Sequence, residues 1–203
     1  MPIRAIFFDI GGVLVRTNDR TPRTRLATRL GTTYDALVDL IWGGERGRQA
    51  QRGEISAEEQ WINACRVLHW PLDRMQDLES EFFAGDELDM TLVNYIRSLH
   101  TRYRTGIISN ALSNVRSAIE QKWDIADAFD ALILSAEIGL MKPDPRIFHT
   151  ALQALGVAPA EAVFVDDVAE NVAGAQALGM FAMRFIDPVQ AKEEVDRLLV
   201  VNQ

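Results

Sequence analysis

One cysteine, Cys65, is all the thiol chemistry the 203-residue chain contains. No disulfide can close within it, which points to a reducing compartment. No stretch approaches the roughly 18 consecutive apolar residues of a membrane helix. The apolar run that follows "MPIR" stops at Asp9, too short for the hydrophobic region of a signal peptide. The expectation is a soluble, cytoplasmic protein. An excess of basic charge is missing as well: 21 Lys and Arg stand against 29 Asp and Glu, a net charge of −8. Such a field repels nucleic acid and anionic membrane, so neither is expected as a partner. The chain has no G-x-G-x-x-G after a strand, no P-loop, no H-E-x-x-H and no paired C-x-x-C. His69, His100 and His149 are scattered without a partner motif. Cys65 and His69 stand four residues apart on one helical pattern, a spacing read here as packing.

What is present is an alternation. The runs 4–8, 105–109, 131–134, 162–165 and 181–186 are short, apolar and rich in β-branched or aromatic residues, as buried strands are. Helical patterns lie between the later ones. In "DPRIFHTALQALG", Asp144 suits an N-cap and Pro145 a first helical residue. Ile147, Phe148, Ala151, Leu152 and Leu155 then form one stripe, and Gly156 stops the helix. "VAENVAGAQALG" repeats the pattern up to Gly179. Strands alternating with helices predict an α/β fold, a Rossmann-like three-layer core with a mainly parallel sheet. The interval from about 17 to 100 offers no strand pattern. Within it Ser56 and Glu59 have capping-box spacing ahead of Trp61, Ile62, Cys65 and Leu68, whereas residues 42–56, with four glycines and three arginines, read as a loop with a short helical turn. The parse is a small all-helical cap, 17–85, inserted after the first strand of a core made of 1–16 and 86–203.

Polar residues recur at the carboxyl ends of the predicted strands: Asp9, Ser109 with Asn110, and Asp166 with Asp167. In an open parallel sheet those ends converge on the crevice where ligands bind. Lys142, just ahead of the helix capped by Asp144, reaches the same rim. Clustered carboxylates repel one another unless some are protonated or a cation sits among them. Mg2+ suits one or two carboxylates, a backbone carbonyl, water and a phosphate oxygen. A metal-screened carboxylate can act as a nucleophile, with Lys142, Ser109 and nearby amides meeting the charge that develops. The residues therefore point to Mg2+-assisted phosphoryl transfer. Taken singly, each also reads as a turn, a cap or loop text.

The order of these elements, "FFDIGGVL", "IISN", "MKPDP" and "VFVDDVAEN", resembles the haloacid dehalogenase-like hydrolase superfamily along the whole chain. The similarity is strongest to its phosphatase branch with a small helical cap, including sugar-phosphate phosphatases and the phosphatase domain fused to epoxide hydrolase. The resemblance implies Asp9 as nucleophile and Ser109 and Asn110 as phosphoryl-binding residues, with Gly12 at the turn after the nucleophile. It implies that Lys142 stabilises nucleophile and phosphate, that Asp167 ligates Mg2+ together with Asp9 and the Gly11 carbonyl, and that Asp166 acts through metal-bound water. Asn171 falls where relatives often hold a further polar site residue. Most family phosphatases carry a second Asp, as general acid and base, where this chain has Gly11. Glu54, in the polar cap loop, is the candidate substitute, with Glu45 beside it, and Trp42, Arg46, Arg48 and Arg52 are candidates for substrate contact. Three competing readings remain: a phosphate- and Mg2+-binding regulatory module of the same fold, a receiver-type domain, and a 2-haloacid dehalogenase. Nothing in the sequence speaks to oligomeric state.

Overall fold

In the computed structural model, which describes residues 2–202, β1 (Ala5–Phe8) is the central strand of a five-stranded sheet. The neighbouring strands are β4 (Arg104–Ser109), β5 (Ala131–Leu134), β6 (Ala162–Asp166) and β7 (Phe181–Arg184), in the order β5-β4-β1-β6-β7. Every pairing in it is parallel. The strand alternation of β1 explains the layers. Ile6 and Phe8 face a core shared with α6 (Met90–His100) and α11 (Pro188–Val201), while Ala5 and Phe7 face one shared with α9 (Pro145–Leu155) and α10 (Ala169–Ala177). The sheet is thus covered on both faces, and β1 reads as an uninterrupted apolar run because both of its faces are buried.

The helix α9 forms as its sequence dictates. Asp144 accepts a hydrogen bond from the Arg146 N–H, Pro145 opens the helix, and Gly156 ends it in the left-handed region at φ 62°. Its five-residue apolar stripe is entirely buried, each large member contributing about 1.5–3 kcal/mol of transfer free energy.

Between β2 (Val15–Thr17) and β3 (Asp86–Leu88) lie α1 (Thr21–Arg29), α2 (Tyr34–Trp42), α3 (Gly44–Gln51), α4 (Ala57–Val67) and α5 (Met75–Phe82). These helices enclose an apolar cluster of their own, built on Leu26, Leu37, Ile41, Trp61, Leu78 and Phe82. Ser56 and Glu59 form the capping box their spacing predicted. Two features differ from the sequence reading. Residues 44–51 form a full helix, α3, where a loop with one turn was expected. Glycine costs a helix about 1 kcal/mol relative to alanine, but here close packing needs it: a Cβ on Gly47 would fall 2.5 Å from the Trp42 carbonyl carbon. The Gln51 side chain adds hydrogen bonds to the Trp42 and Gly47 carbonyls. The second difference is an antiparallel ribbon, β2 with β3, in an interval that offered no strand pattern. Three-residue strands reading Val-Arg-Thr and Asp-Glu-Leu are too short and too polar to leave a periodic trace.

That ribbon is where the inserted helices join the sheet, and one side chain ties it to them. Arg23 of α1 is buried, its guanidinium 2.9 Å from both carboxylate oxygens of Asp86, with Nε donating to the Phe82 carbonyl and the guanidinium carbon over the Phe82 ring, 4.0 Å from its centroid. Removing one partner of a buried ion pair leaves an uncompensated charge. Arg23→Ala is therefore expected to lower the unfolding free energy by about 3–5 kcal/mol, measured as a shift in the urea midpoint followed by tryptophan fluorescence. A loss under about 1 kcal/mol, the value of an ordinary exposed pair, would contradict this role.

Candidate active site

The turn after β1 starts from the sheet itself. Asp9 is the first residue past β1, and its N–H donates to the Val165 carbonyl of β6 at 3.0 Å. Leu14 and Val15 then both donate to the Ile10 carbonyl, closing a tight loop that holds Gly11 and Gly12. Gly12 has φ 78°, and a Cβ there would fall 2.3 Å from an Asp167 carboxylate oxygen. No other residue meets both conditions. Gly11 is unconstrained in both respects: its φ is not in the left-handed region, and a Cβ there would meet nothing within 4 Å.

Lys142 is the hub. Its Nζ, fully buried, lies 2.9 Å from Asp9 Oδ2 and 2.6 Å from Asp166 Oδ2, and donates to the Ile108 carbonyl at 2.8 Å. Three donors thus meet three acceptors. The backbone that carries Lys142 is clamped by Asn110, whose side chain accepts from the Lys142 N–H (2.8 Å) and donates to the Lys142 carbonyl (3.0 Å). The Lys142–Pro143 peptide bond is cis. Asp166, the last residue of β6, is fully buried and takes further hydrogen bonds from the Val168 N–H and from the Asn171 amide, which reaches back from α10. Ser109, the last residue of β4, is buried on the other flank of Asp9. The structure therefore brings Asp9, Ser109, Asn110, Lys142, Asp166, Asp167 and Asn171 together at one end of the sheet, next to Gly11 and Gly12.

The electrostatics of the cluster are unbalanced. Carboxylate oxygens of Asp9, Asp166 and Asp167 lie within 4.8 Å of one another, and Lys142 is the one ammonium among them. Burial raises the Asp9 carboxyl from its ordinary 3.8 to about 6. The Lys142 charge opposes this, the Asp166 charge adds to it, and the Ser109 hydroxyl opposes it. Burial, and next the Asp166 charge, also raise Asp167. All-oxygen donors with excess negative charge suit a hard divalent cation, and the missing Cβ of Gly12 leaves room for Asp167 to face the loop. The residues fit Mg2+.

The inserted helices meet this rim through the chain between α3 and α4. Ser135, which opens α8 (Ser135–Ile138) just past β5, is fully buried and donates to the Gln51 carbonyl at 2.5 Å while accepting from the Ala111 N–H at 2.9 Å. Gly53, at φ 71°, lies against the Ala136 backbone, and Ser113 accepts from the Ala57 N–H. Ser135 and Ser113 were not singled out from the sequence. The one available signal was that "ALIL" is followed by a polar residue at its carboxyl end, as the other strands of the cluster are.

The other candidates have partners outside this cluster. Glu54 is exposed and bonded to Arg52 at 2.6 Å, and Arg52 also holds Glu45. Arg48 pairs with Glu45, and Arg46 donates to the Glu59 carbonyl. Trp42 is half-buried, packed partly on Ala50, Ala57 and Leu112. Cys65 is buried in the helical cluster, its thiol pushed up by burial, and His69 lies beyond the end of α4. His100 bonds Thr105 at the opposite, amino end of β4.

Comparison with known proteins bears on this arrangement. A family model described as haloacid dehalogenase-like hydrolase matches residues 3–179. Phosphatase MT3486 of Mycobacterium tuberculosis is 37% identical over 198 residues, covering 90% of this chain and 87% of the relative. The D-ribitol-5-phosphate phosphatase of Bacteroides thetaiotaomicron is 30% identical over 184 residues, covering 87% and 89%. The chain also matches longer proteins, spanning 19% of mouse acyl-CoA dehydrogenase family member 10 at 26% identity. An enzyme of the same family from Bacteroides thetaiotaomicron, solved with magnesium and inorganic phosphate, superposes with a TM-score of 0.74 at 20% identity, covering 90% of this chain and 93% of that one.

The Asp9 environment sets a pH dependence. A carboxyl raised on folding is protonated to higher pH in the folded chain than in the unfolded one, so its ionisation works against the fold. The penalty is absent below about pH 3.8 and complete above about pH 6. In EDTA, Asp9→Asn is expected to gain stability relative to the parent chain as the pH rises from about 4 to about 7, read from urea midpoints. A difference that stays constant over that range would show that burial does not oppose the Asp9 charge.

Proposed function

The chain belongs to the haloacid dehalogenase-like hydrolase family, and from that premise we propose that it is a Mg2+-dependent phosphatase. Its substrate is a small phosphorylated metabolite, with sugar phosphates the leading class, and the phosphoryl group passes through Asp9. The observation that carries this reading is the buried Lys142 ammonium held between Asp9 and Asp166 at the carboxyl ends of adjacent strands. It is supported by relatives named as phosphatases that cover most of the chain.

In this reading Asp9 attacks phosphorus, the bond to the leaving oxygen breaks, and water later releases phosphate from the aspartyl phosphate. Lys142 neutralises charge on the phosphoryl oxygens, and the Ser109 hydroxyl binds one of them. Asp166 pairs with Lys142 and aims it, and Asn171 holds Asp166 in turn. The Asn110 side chain is spent on the Lys142 backbone, so its part in binding phosphate falls to its own N–H. Bound Mg2+ would act as a Lewis acid that screens carboxylates and phosphate from one another, held by Asp9, Asp167 and the Gly11 carbonyl, with Asp166 joined through water. The segment 17–85 would serve as a cap over the rim, fastened by Ser135 and Ser113. The chain's net charge of −8 and single cysteine suit a cytoplasmic enzyme of small metabolites.

The test is phosphate release from p-nitrophenyl phosphate. The chain is expected to catalyse it with Mg2+, to lose it in EDTA, and to lose at least about 10³-fold in Asp9→Asn, with circular dichroism unchanged. Phosphate binding without release would leave only the binding-module reading, and halide release from a 2-haloacid in place of phosphate release would favour the dehalogenase.

A further inference from the structure

The geometry points to a second anion site, at the opposite end of the sheet from Asp9, that takes a small phosphate-bearing molecule through Arg4, Arg102 and Arg104. It does not depend on the phosphatase reading above. Arg4 stands just before β1, Arg104 opens β4 and Asp130 stands just before β5, so all three mark the amino ends of adjacent strands. With His100, Arg102 and Tyr103 they line a cavity of about 380 Å3, within the size range of small-molecule sites. The six residues of β4 separate it from Ser109, roughly 16 Å of extended strand. The cavity is therefore distinct from the carboxylate cluster.

The guanidiniums here keep donors to spare. Other arginines of the core close tightly on carboxylates: Arg97 lies 2.7 Å from Asp127, and Arg116 lies 2.7 Å from Glu137. Around the cavity, Arg4 approaches Glu161 only to 3.3 Å and Arg104 approaches Asp130 only to 3.8 Å. Both distances are long for a charge-assisted hydrogen bond. The Arg102 guanidinium forms no ion pair among the described residues and lies 5.6 Å from the Tyr103 ring centroid. Asp130, the one acid in the wall, is partly spent: its Oδ2 accepts from the Thr105 N–H at 2.9 Å and lies 3.5 Å from His100 Nδ1. In a chain of net charge −8, three guanidiniums against one carboxylate make this wall locally basic.

A terminal phosphate suits these donors. It brings three acceptor oxygens and nearly two negative charges at neutral pH, and each guanidinium fork matches a pair of such oxygens. A carboxylate offers two oxygens and one charge. The half-buried Tyr103 ring gives the remainder of the ligand an apolar wall. Cations just past the end of α6 also offset its last carbonyls, each by about 0.3–1 kcal/mol. That role asks nothing of Arg4, which belongs to the approach to β1, and it does not require the three side chains to share a cavity.

The experiment titrates the 15N-labelled chain with pyrophosphate in EDTA and follows its amide NMR spectrum. Saturable shifts are expected at Arg4, at Thr101–Arg104 and at Asp130. Arg102→Ala and Arg104→Ala should each weaken binding by about 10-fold or more, the worth of a charged hydrogen bond. Both side chains are exposed, so both variants should keep the parent's circular dichroism. Arg66→Ala, which removes an exposed charge on α4, should leave the affinity unchanged. Citrate, a polyanion without phosphorus, should bind more weakly than pyrophosphate. Shifts confined to residues 9–12 and 109–110, shifts that do not saturate, or equal affinity in the parent and both cavity variants would overturn the site. Citrate binding as tightly as pyrophosphate would overturn its assignment to phosphate.

Discussion

A buried ammonium is the constraint from which the rest of the structure follows. Lys142 Nζ has no contact with solvent, and an unpaired charge in that position would cost many kilocalories per mole. It is tolerated because two carboxylates and one carbonyl meet its three donors. Those acceptors come from β1, β4 and β6, so the three strands have to lie side by side with their carboxyl ends level. The register does this: Phe8 pairs with Ile107 on one side and Val165 on the other, so the residues just beyond converge on one point. Asn110 and Asn171 then fix the two ends of the network, one through the Lys142 backbone and one through the Asp166 carboxylate. A network closed this completely is rigid, since moving any member leaves a buried group unpaired.

The same network explains why the Asp9 carboxyl is poised while Asp166 serves as support. Both touch Lys142, but Asp166 collects hydrogen bonds from Val168 and Asn171 as well, and is fully buried. Asp9 has only the Ile10 N–H, the ammonium and the Ser109 hydroxyl to set against burial and a like charge. Two carboxylates in one site are pushed toward different tasks by the hydrogen bonds each receives.

Much of this was legible in the sequence, for a physical reason. Buried parallel strands must be apolar on both faces, so each polar residue that ends one stands out; Asp9, Ser109 and Asp166 were visible on that ground. The α9 helix was visible because cap, proline, stripe and terminal glycine all agree. What stayed hidden depends on contacts distant in sequence. The helix α3 is glycine-rich because it packs against the end of α2, a fact no local propensity encodes. Ser135 reads as an ordinary residue after a strand, and its importance lies in meeting Gln51, 84 positions away. Glu54 and the arginines near it offered charge suited to a substrate. In the fold much of that charge is spent within the segment, because opposite charges two to seven residues apart find each other first.

Rigidity and freedom are therefore divided between two kinds of position. Asp9, Asn110, Lys142, Asp166 and Asn171 share hydrogen bonds, so a change in any of them propagates to a buried charge. Gly12 is fixed by the Asp167 carboxylate and by its own backbone. Gly11, one residue earlier in the same turn, is bound by neither condition. The loop at 51–54 is held to the rim largely through backbone atoms, the Gln51 carbonyl and Gly53, leaving the side chains of Arg52 and Glu54 outside the contact. Side chains at these free positions can differ without disturbing the charged centre. On the phosphatase reading, a site arranged this way would keep the means of handling a phosphoryl group in its rigid network and leave the positions around it free to vary.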